Sequence, residues 1–147
     1  MTTAGHRVGV LRSAVVFIVA GVMPLLAGCT EGDAEPIPGP TISGLPSVPS
    51  APADVELIAP RDLPLARLIK ADGIWAEVSA GLCEVLKGVA VSDRSGQPAV
   101  RVTVALIDKK EDCPSAAQRR VVRLPDETAT ARVVHDEVSG KDLPVPK

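Results

Sequence analysis

Aromatic residues are almost missing from this chain. Its 147 residues include one Phe, one Trp and no Tyr. Phe17 falls in an N-terminal apolar run, so the remainder keeps Trp75 alone. Any core formed there must be built from Val, Leu, Ile and Ala. Trp75 is read as part of that core, since one ring cannot line a sugar-binding cleft beside the paired carboxylates that glycoside hydrolysis requires.

An excess of positive charge is missing too. Past residue 29 the chain has 14 basic and 18 acidic residues, a net −4. That mild acidity argues against a nucleic-acid binder or a basic sensor of anionic lipid. Histidine is scarce, with only His6 and His135. No Gly-x-Ser-x-Gly, Ser-x-x-Lys or His-Glu-x-x-His pattern is found, so no catalytic residue is assigned. No metal site or cofactor is expected either: Cys-x-x-Cys is absent and His135 is the one further ligand of that kind downstream. His135 reads as an exposed strand-end residue beside Asp136 and Glu137.

What is present is clearest at the N-terminus. Residues 1–12 carry Arg7 and Arg12, residues 14–26 form an apolar run, and Leu26-Ala27-Gly28-Cys29 follows. A run of about 13 residues is short for a permanent span of a roughly 30 Å hydrocarbon core. It has the length of a signal-peptide core. The Leu26-Ala27-Gly28-Cys29 motif resembles the lipobox of bacterial lipoproteins. The composition, rich in Ala, Val, Pro and Gly and poor in Lys, resembles that of high-GC organisms such as actinobacteria.

The resemblance implies a type II signal peptide over residues 1–28, cut between Gly28 and Cys29. It implies a diacylglycerol on the Cys29 thiol and, in many such proteins, an acyl group on its new amine. Two or more acyl chains hold a protein on a membrane where one does not. The expected location is the extracytoplasmic side of the cell membrane, with the membrane itself as partner through Cys29.

Residues 29–53 then read as the lipidated N-terminus and a disordered tether. Pro36, Pro38, Pro40, Pro46, Pro49 and Pro52 recur among Gly, Ser and Ala. Such a stretch is a poor core former and favours extended polyproline-II. Residues 54–147 are expected to form one small globular envelope domain.

Three cysteines are an odd number for a secreted chain. If lipid occupies Cys29, Cys83 and Cys113 remain as a pair for an oxidising compartment.

Within the domain, Ile74, Trp75, Val78, Leu82, Val85, Leu86 and Val89 follow helical spacing. With Asp72 as N-cap and Gly88 as stop, they predict a main helix over 72–88; a pair of strands is the competing reading. Leu63–Lys70 reads as a short helix. Asp54–Ala59 reads as a strand ended by Pro60. Ala99–Asp108 alternates and is the clearest strand. Gln118–Leu124 and Thr128–His135 read as two more, and Leu143–Val145 as a weakly pairing tail. The expectation is an α+β fold of two layers, one main helix on three to four antiparallel strands, with an all-β domain as the alternative.

Arg119, Arg120, Arg123 and Arg132 form a local basic cluster in sequence. Glu111-Asp112 and Asp126-Glu127 are acidic pairs in turns, with too few oxygen ligands for calcium. The functional expectation is a lipid-anchored envelope lipoprotein, a non-enzymatic binding or accessory module with an envelope-protein or cell-wall partner and no nucleic acid. The alternatives are a small carrier of lipid or another apolar ligand, or an envelope enzyme with a scattered site.

Overall fold

A computed structural model describes residues 36–37, 39–107 and 113–147. The residues read as signal peptide and lipobox, Cys29 included, lie outside the described residues, as does the Glu111-Asp112 pair.

The described chain is built of strands. In order they are β1 (Thr41–Ile42), β2 (Leu45–Pro46), β3 (Leu57–Leu63), β4 (Leu65–Lys70), β5 (Ile74–Gly81) and β6 (Glu84–Arg94). Then follow β7 (Gln97–Ile107), β8 (Ala117–Arg123), β9 (Val133–Asp136) and β10 (Asp142–Pro144). One 3-10 turn, Asp126–Thr128, is the only helical element among the described residues. The α+β expectation is therefore corrected: no main helix packs on the strands, and the domain is all-β.

The reason lies in β5. It is the middle strand of a three-stranded antiparallel sheet, β4-β5-β8. Ile74, Ala76, Val78 and Ala80 alternate along it and enter the core. On its other face Trp75 and Glu77 are also buried. A strand covered on both faces places apolar residues at successive positions, so it fits a helical template as well as a strand template. Asp72, read as a helix cap, instead accepts the indole N–H of Trp75 at 2.9 Å. Trp75 is buried, as expected, but on the face of β5 turned away from the aliphatic cluster. The short helix expected at Leu63–Lys70 is also a correction: Pro64 separates the end of β3 from the start of β4.

The second sheet has the order β10-β9-β7-β3, with β6 on the other edge of β7. Its centre is β7, where Val100, Val102 and Val104 are fully buried and Arg101 faces out. β3 pairs with the C-terminal half of β7, running through Pro60 with a bulge between Ile58 and Arg61. β9 pairs parallel to β7 at Ala99 and Val100. β6 and β7 form a long hairpin that turns at Ser95-Gly96, both with positive φ. The absence of a Cβ makes this conformation easy for Gly96.

The core lies between the two curled sheets and is aliphatic. Leu63, Leu68, Val78, Val102, Val122 and Val134 are among its members. Residues 47–51 close one seam. The Val48 N–H donates to the Val121 carbonyl of β8 at 2.9 Å, and Leu86 of β6 donates to the Pro49 carbonyl at 2.8 Å. Val48 is buried in the core. This part of the segment read as tether is thus bonded to both sheets. Asp136 links the other seam by accepting the N–H of Leu65 at 3.0 Å.

Cys83 and Cys113 sit at disulfide distance, with Cα atoms 5.7 Å apart. Cys83 lies in the turn where the chain passes from β5 to β6, between sheets. Cys113 lies where it passes back from β7 to β8. The pair therefore staples two crossings between the same two sheets, rather than a helix to a sheet.

Candidate functional site

The tip of the β6–β7 hairpin stands beside the β9–β10 turn, and polar side chains collect between them. Strand alternation turns Ser92 and Arg94 of β6 and Arg101 of β7 away from the core. β9 brings His135 into the group, and β10 brings Asp142. His135 is 6 % exposed, so the expectation of an exposed strand-end histidine is corrected. Its Nδ1 lies 2.7 Å from Asp142 Oδ1, and Arg94 Nη1 approaches both ring nitrogens, 3.1 Å from Nδ1 and closer to Nε2.

The next residue anchors this arrangement. Asp136 is fully buried. Besides Leu65 N–H, its carboxylate accepts the N–H of Val138 at 3.1 Å and the N–H and Oγ–H of Ser139. Those bonds shape the β9–β10 turn and so fix the approach of Asp142 to His135.

Glu137 completes the wall. It accepts the Ser92 hydroxyl at 2.6 Å, and Arg101 lies 2.8 Å from its Oε2. The Ser92 bond, with Arg101 behind it, holds the Glu137 carboxyl below its ordinary range despite partial desolvation.

Two open clefts meet at His135. One, of about 260 Å³, is lined by Arg94, Ser95, Gln97, His135, Gly140 and Asp142. The other, of about 410 Å³, reaches Ser92, Arg101 and Glu137. A third, of about 480 Å³, runs along Val91, Ser92 and Asp93 beside Glu127, Thr130 and Ala131. All three share the hairpin end of the molecule. Their walls offer both hydrogen-bond donors and acceptors, and none is lined mainly by apolar side chains.

The basic cluster read from sequence is dispersed by the fold. Arg119 points out of β8 and joins Arg67 in bonding Glu77, and its bond is the main reason that carboxyl falls to about 2. Arg120 points the opposite way and is buried. Arg123 pairs with Asp126 at 3.4 Å on the surface, and Arg132 is exposed. Asp126-Glu127 occupies the 3-10 turn as an exposed pair. Among the described residues no group of three or more His, Cys, Asp and Glu is placed to hold a metal ion.

Sequence reasoning found His135 but not its partners. Arg94 lies 41 residues before it and Asp142 seven after it. No local spacing marks a contact made by two different hairpins.

Comparison of the chain with protein-family models, curated proteins and solved structures gave no match.

Proposed function

We propose that this chain is a lipid-anchored cell-envelope lipoprotein whose β domain is a non-enzymatic binding module outside the cytoplasmic membrane. Anchorage is supported by Leu26-Ala27-Gly28-Cys29 directly after the apolar run. Binding is supported by one observation above the rest: a buried imidazole contacted by both Asp142 and Arg94 at the floor of open polar clefts. A buried polar group stabilises a fold no better than a well-packed aliphatic one, so its presence at a cleft points to recognition. The partner class is a polar envelope or wall component able to both donate and accept hydrogen bonds.

The test has two parts. Cys29→Ser releases the protein from the membrane or blocks its maturation, read by detergent-phase partition and by mass of the N-terminal peptide. Purified wall sacculi sediment the wild-type protein but not Arg94→Gln. A Cys29→Ser protein that still partitions as a normally processed membrane protein defeats the anchorage. Equal sedimentation of wild type and Arg94→Gln defeats the assigned cleft.

An envelope enzyme is the second reading, favoured by the His135–Asp142 bond, since a carboxylate behind an imidazole is the arrangement of a general base. Two contacts weigh against it. The Nε2 that would take a proton faces the Arg94 cation, and the nearby Ser92 hydroxyl is committed to Glu137. A carrier of apolar ligands is less well supported, because the clefts are polar and aliphatic side chains pack between the sheets.

A further inference from the structure

We infer that the free edge of β6 at Val89–Asp93 accepts an extended peptide of another protein as an added strand, with a Lys or Arg of that peptide seated beside Asp93 and Glu127. Asp93 and Arg94 point to opposite faces of β6, so this site lies across the strand from His135 and does not depend on the reading of that cleft.

The free edge follows from the hairpin. Its two-residue turn, with positive φ at Ser95 and Gly96, closes on Arg94 and Gln97 as a hydrogen-bonded pair. Such pairs alternate along an antiparallel ladder. Ser92 and Ala90 therefore bond β7, while Asp93, Val91 and Val89 aim their N–H and C=O groups away from it. β6 pairs with no other strand, and those outward groups make no backbone bond among the described residues. Their side chains share the core face: Val89 and Val91 pack on the aliphatic cluster, and Asp93 continues that row at its rim.

The same edge already holds an extended segment at its start. Leu86 donates to the Pro49 carbonyl at 2.8 Å and accepts the Ala51 N–H at 3.4 Å, with Ser50 in a parallel bridge to Leu86. No backbone bond continues this pairing past Ala51 among the described residues. Further along β6 lies an open cleft of about 480 Å³, walled by Val91, Ser92 and Asp93 on one side and by Glu127, Thr130 and Ala131 on the other. An uncovered edge is the surface used in β-strand addition, where main-chain bonds supply affinity and side-chain contacts supply selectivity.

Charge selects the occupant. Asp93 and Glu127 both line this cleft, and no Lys or Arg does. Both carboxylates are exposed. Asp93 Oδ1 accepts the Gly96 N–H at 3.0 Å, which leaves Oδ2 for a ligand. A Lys or Arg on the added strand makes charge-assisted bonds there. A second copy of this chain fits less well. Pairing two β6 edges would bring a second Asp93 and a second Glu127 to the same cleft, between chains that carry net −4 past residue 29.

The test is titration of the mature full chain with the blocked peptide acetyl-Thr-Val-Lys-Val-Thr-amide, read by NMR of the backbone amides. Saturable shifts appear at Val89, Val91 and Asp93. The peptide with Glu in place of Lys binds at least about tenfold more weakly. The double variant Asp93→Asn, Glu127→Gln abolishes that preference, and its Asn keeps an oxygen for the Gly96 N–H. Two N-methylated peptides test the pairing. One carries the methyl on the Lys nitrogen and the other on both Val nitrogens, so they block opposite edges of the added strand. One of the two loses binding and the other keeps it. Shifts that are absent or lie elsewhere, equal binding of the Lys and Glu peptides, or equal effects of the two methylations overturn the proposal. So does protection of these amides that grows with protein concentration in the absence of peptide, which would assign the edge to a second copy.

Discussion

The carboxylate of Asp136 accepts the backbone N–H of Leu65 at 3.0 Å, joining β9 to the start of β4 across 71 residues of sequence. The same carboxylate organises the β9–β10 turn through Val138 and Ser139. One fully buried group therefore ties a seam between the two sheets and sets the backbone beside His135.

Replacing Asp136 should consequently damage both stability and the cleft. Asp136→Asn leaves the volume unchanged but turns one acceptor oxygen into a donor facing other donors. An unsatisfied buried polar group costs about 1–3 kcal/mol, more where the lost partner was charged. Urea unfolding of Asp136→Asn should show a loss of about 2–4 kcal/mol. A loss below about half a kcal/mol would contradict the role assigned to this contact.

Acid should destabilise the domain through Glu77. Its carboxyl lies at about 2 when folded, held down first by the Arg119 hydrogen bond and then by Arg67, against the pull of burial. In the unfolded chain it returns to about 4.3. Between those values the unfolded state binds more protons, so lowering the pH favours unfolding. The contribution is complete above about pH 4.3 and is lost as pH falls towards 2. Both arginines are more than half exposed, which reduces the expected contribution to about 1–2 kcal/mol. Glu84 adds to the same trend: burial opposes its ionisation, but bonds from Arg61 and the Gly81 N–H outweigh that and lower its pKa. Glu77→Gln should flatten the acid limb of a stability–pH curve measured in urea. An unchanged limb would remove Glu77 from the account.

Reduction should loosen the domain without changing its strand content in mild conditions. Cys83 and Cys113 are separated by 30 residues. Opening a loop of that length restores unfolded-state entropy worth about 3–4 kcal/mol. The Cys83→Ser, Cys113→Ser double variant should show that loss in the denaturation midpoint. Thiol titration of unreduced mature protein should find neither cysteine free.

Truncation should reveal where the domain begins. A chain starting at residue 54 lacks Val48, which is 5 % exposed in the core, and the hydrogen bonds of residues 48–51 to Val121 and Leu86. Burial of one Val contributes about 1.5–3 kcal/mol, and each such bond about 1 kcal/mol. Ordering residues 47–51 offsets part of that gain, so a chain starting at residue 36 should be more stable by about 2–4 kcal/mol. Equal midpoints for the two would place residues 47–51 outside the folding unit.

Strands with one clean alternation were readable from the residues. Val100, Val102 and Val104 against Arg101 and Thr103 mark β7, and the Gln118–Leu124 reading nearly coincides with β8 at Ala117–Arg123. The Ser92–Pro98 turn cluster contains the Ser95-Gly96 tip. The proline-rich stretch was readable only in part. Its composition describes a poor core former, yet Val48 enters the core and Pro49 uses its carbonyl, the group a proline keeps, to bond Leu86. At the candidate site His135 stood out by scarcity alone. Its partners Arg94 and Asp142 are ordinary surface residues in sequence, brought together by two hairpins.

By itself, then, the sequence determined an aliphatic core, the courses of β7 and β8, and a cysteine pair that the fold brings to disulfide distance. Each depends on composition or on a period-two pattern, which local residues carry. Only the tertiary structure decided that residues 72–88 become β5, a corner and the start of β6 rather than a helix. It also decided that four neighbouring arginines face four different surroundings and that His135 meets both Arg94 and Asp142. Burial on both faces of β5 erases the alternation that would identify a strand. Contacts across sheets are set by packing, to which spacing along the chain gives no guide.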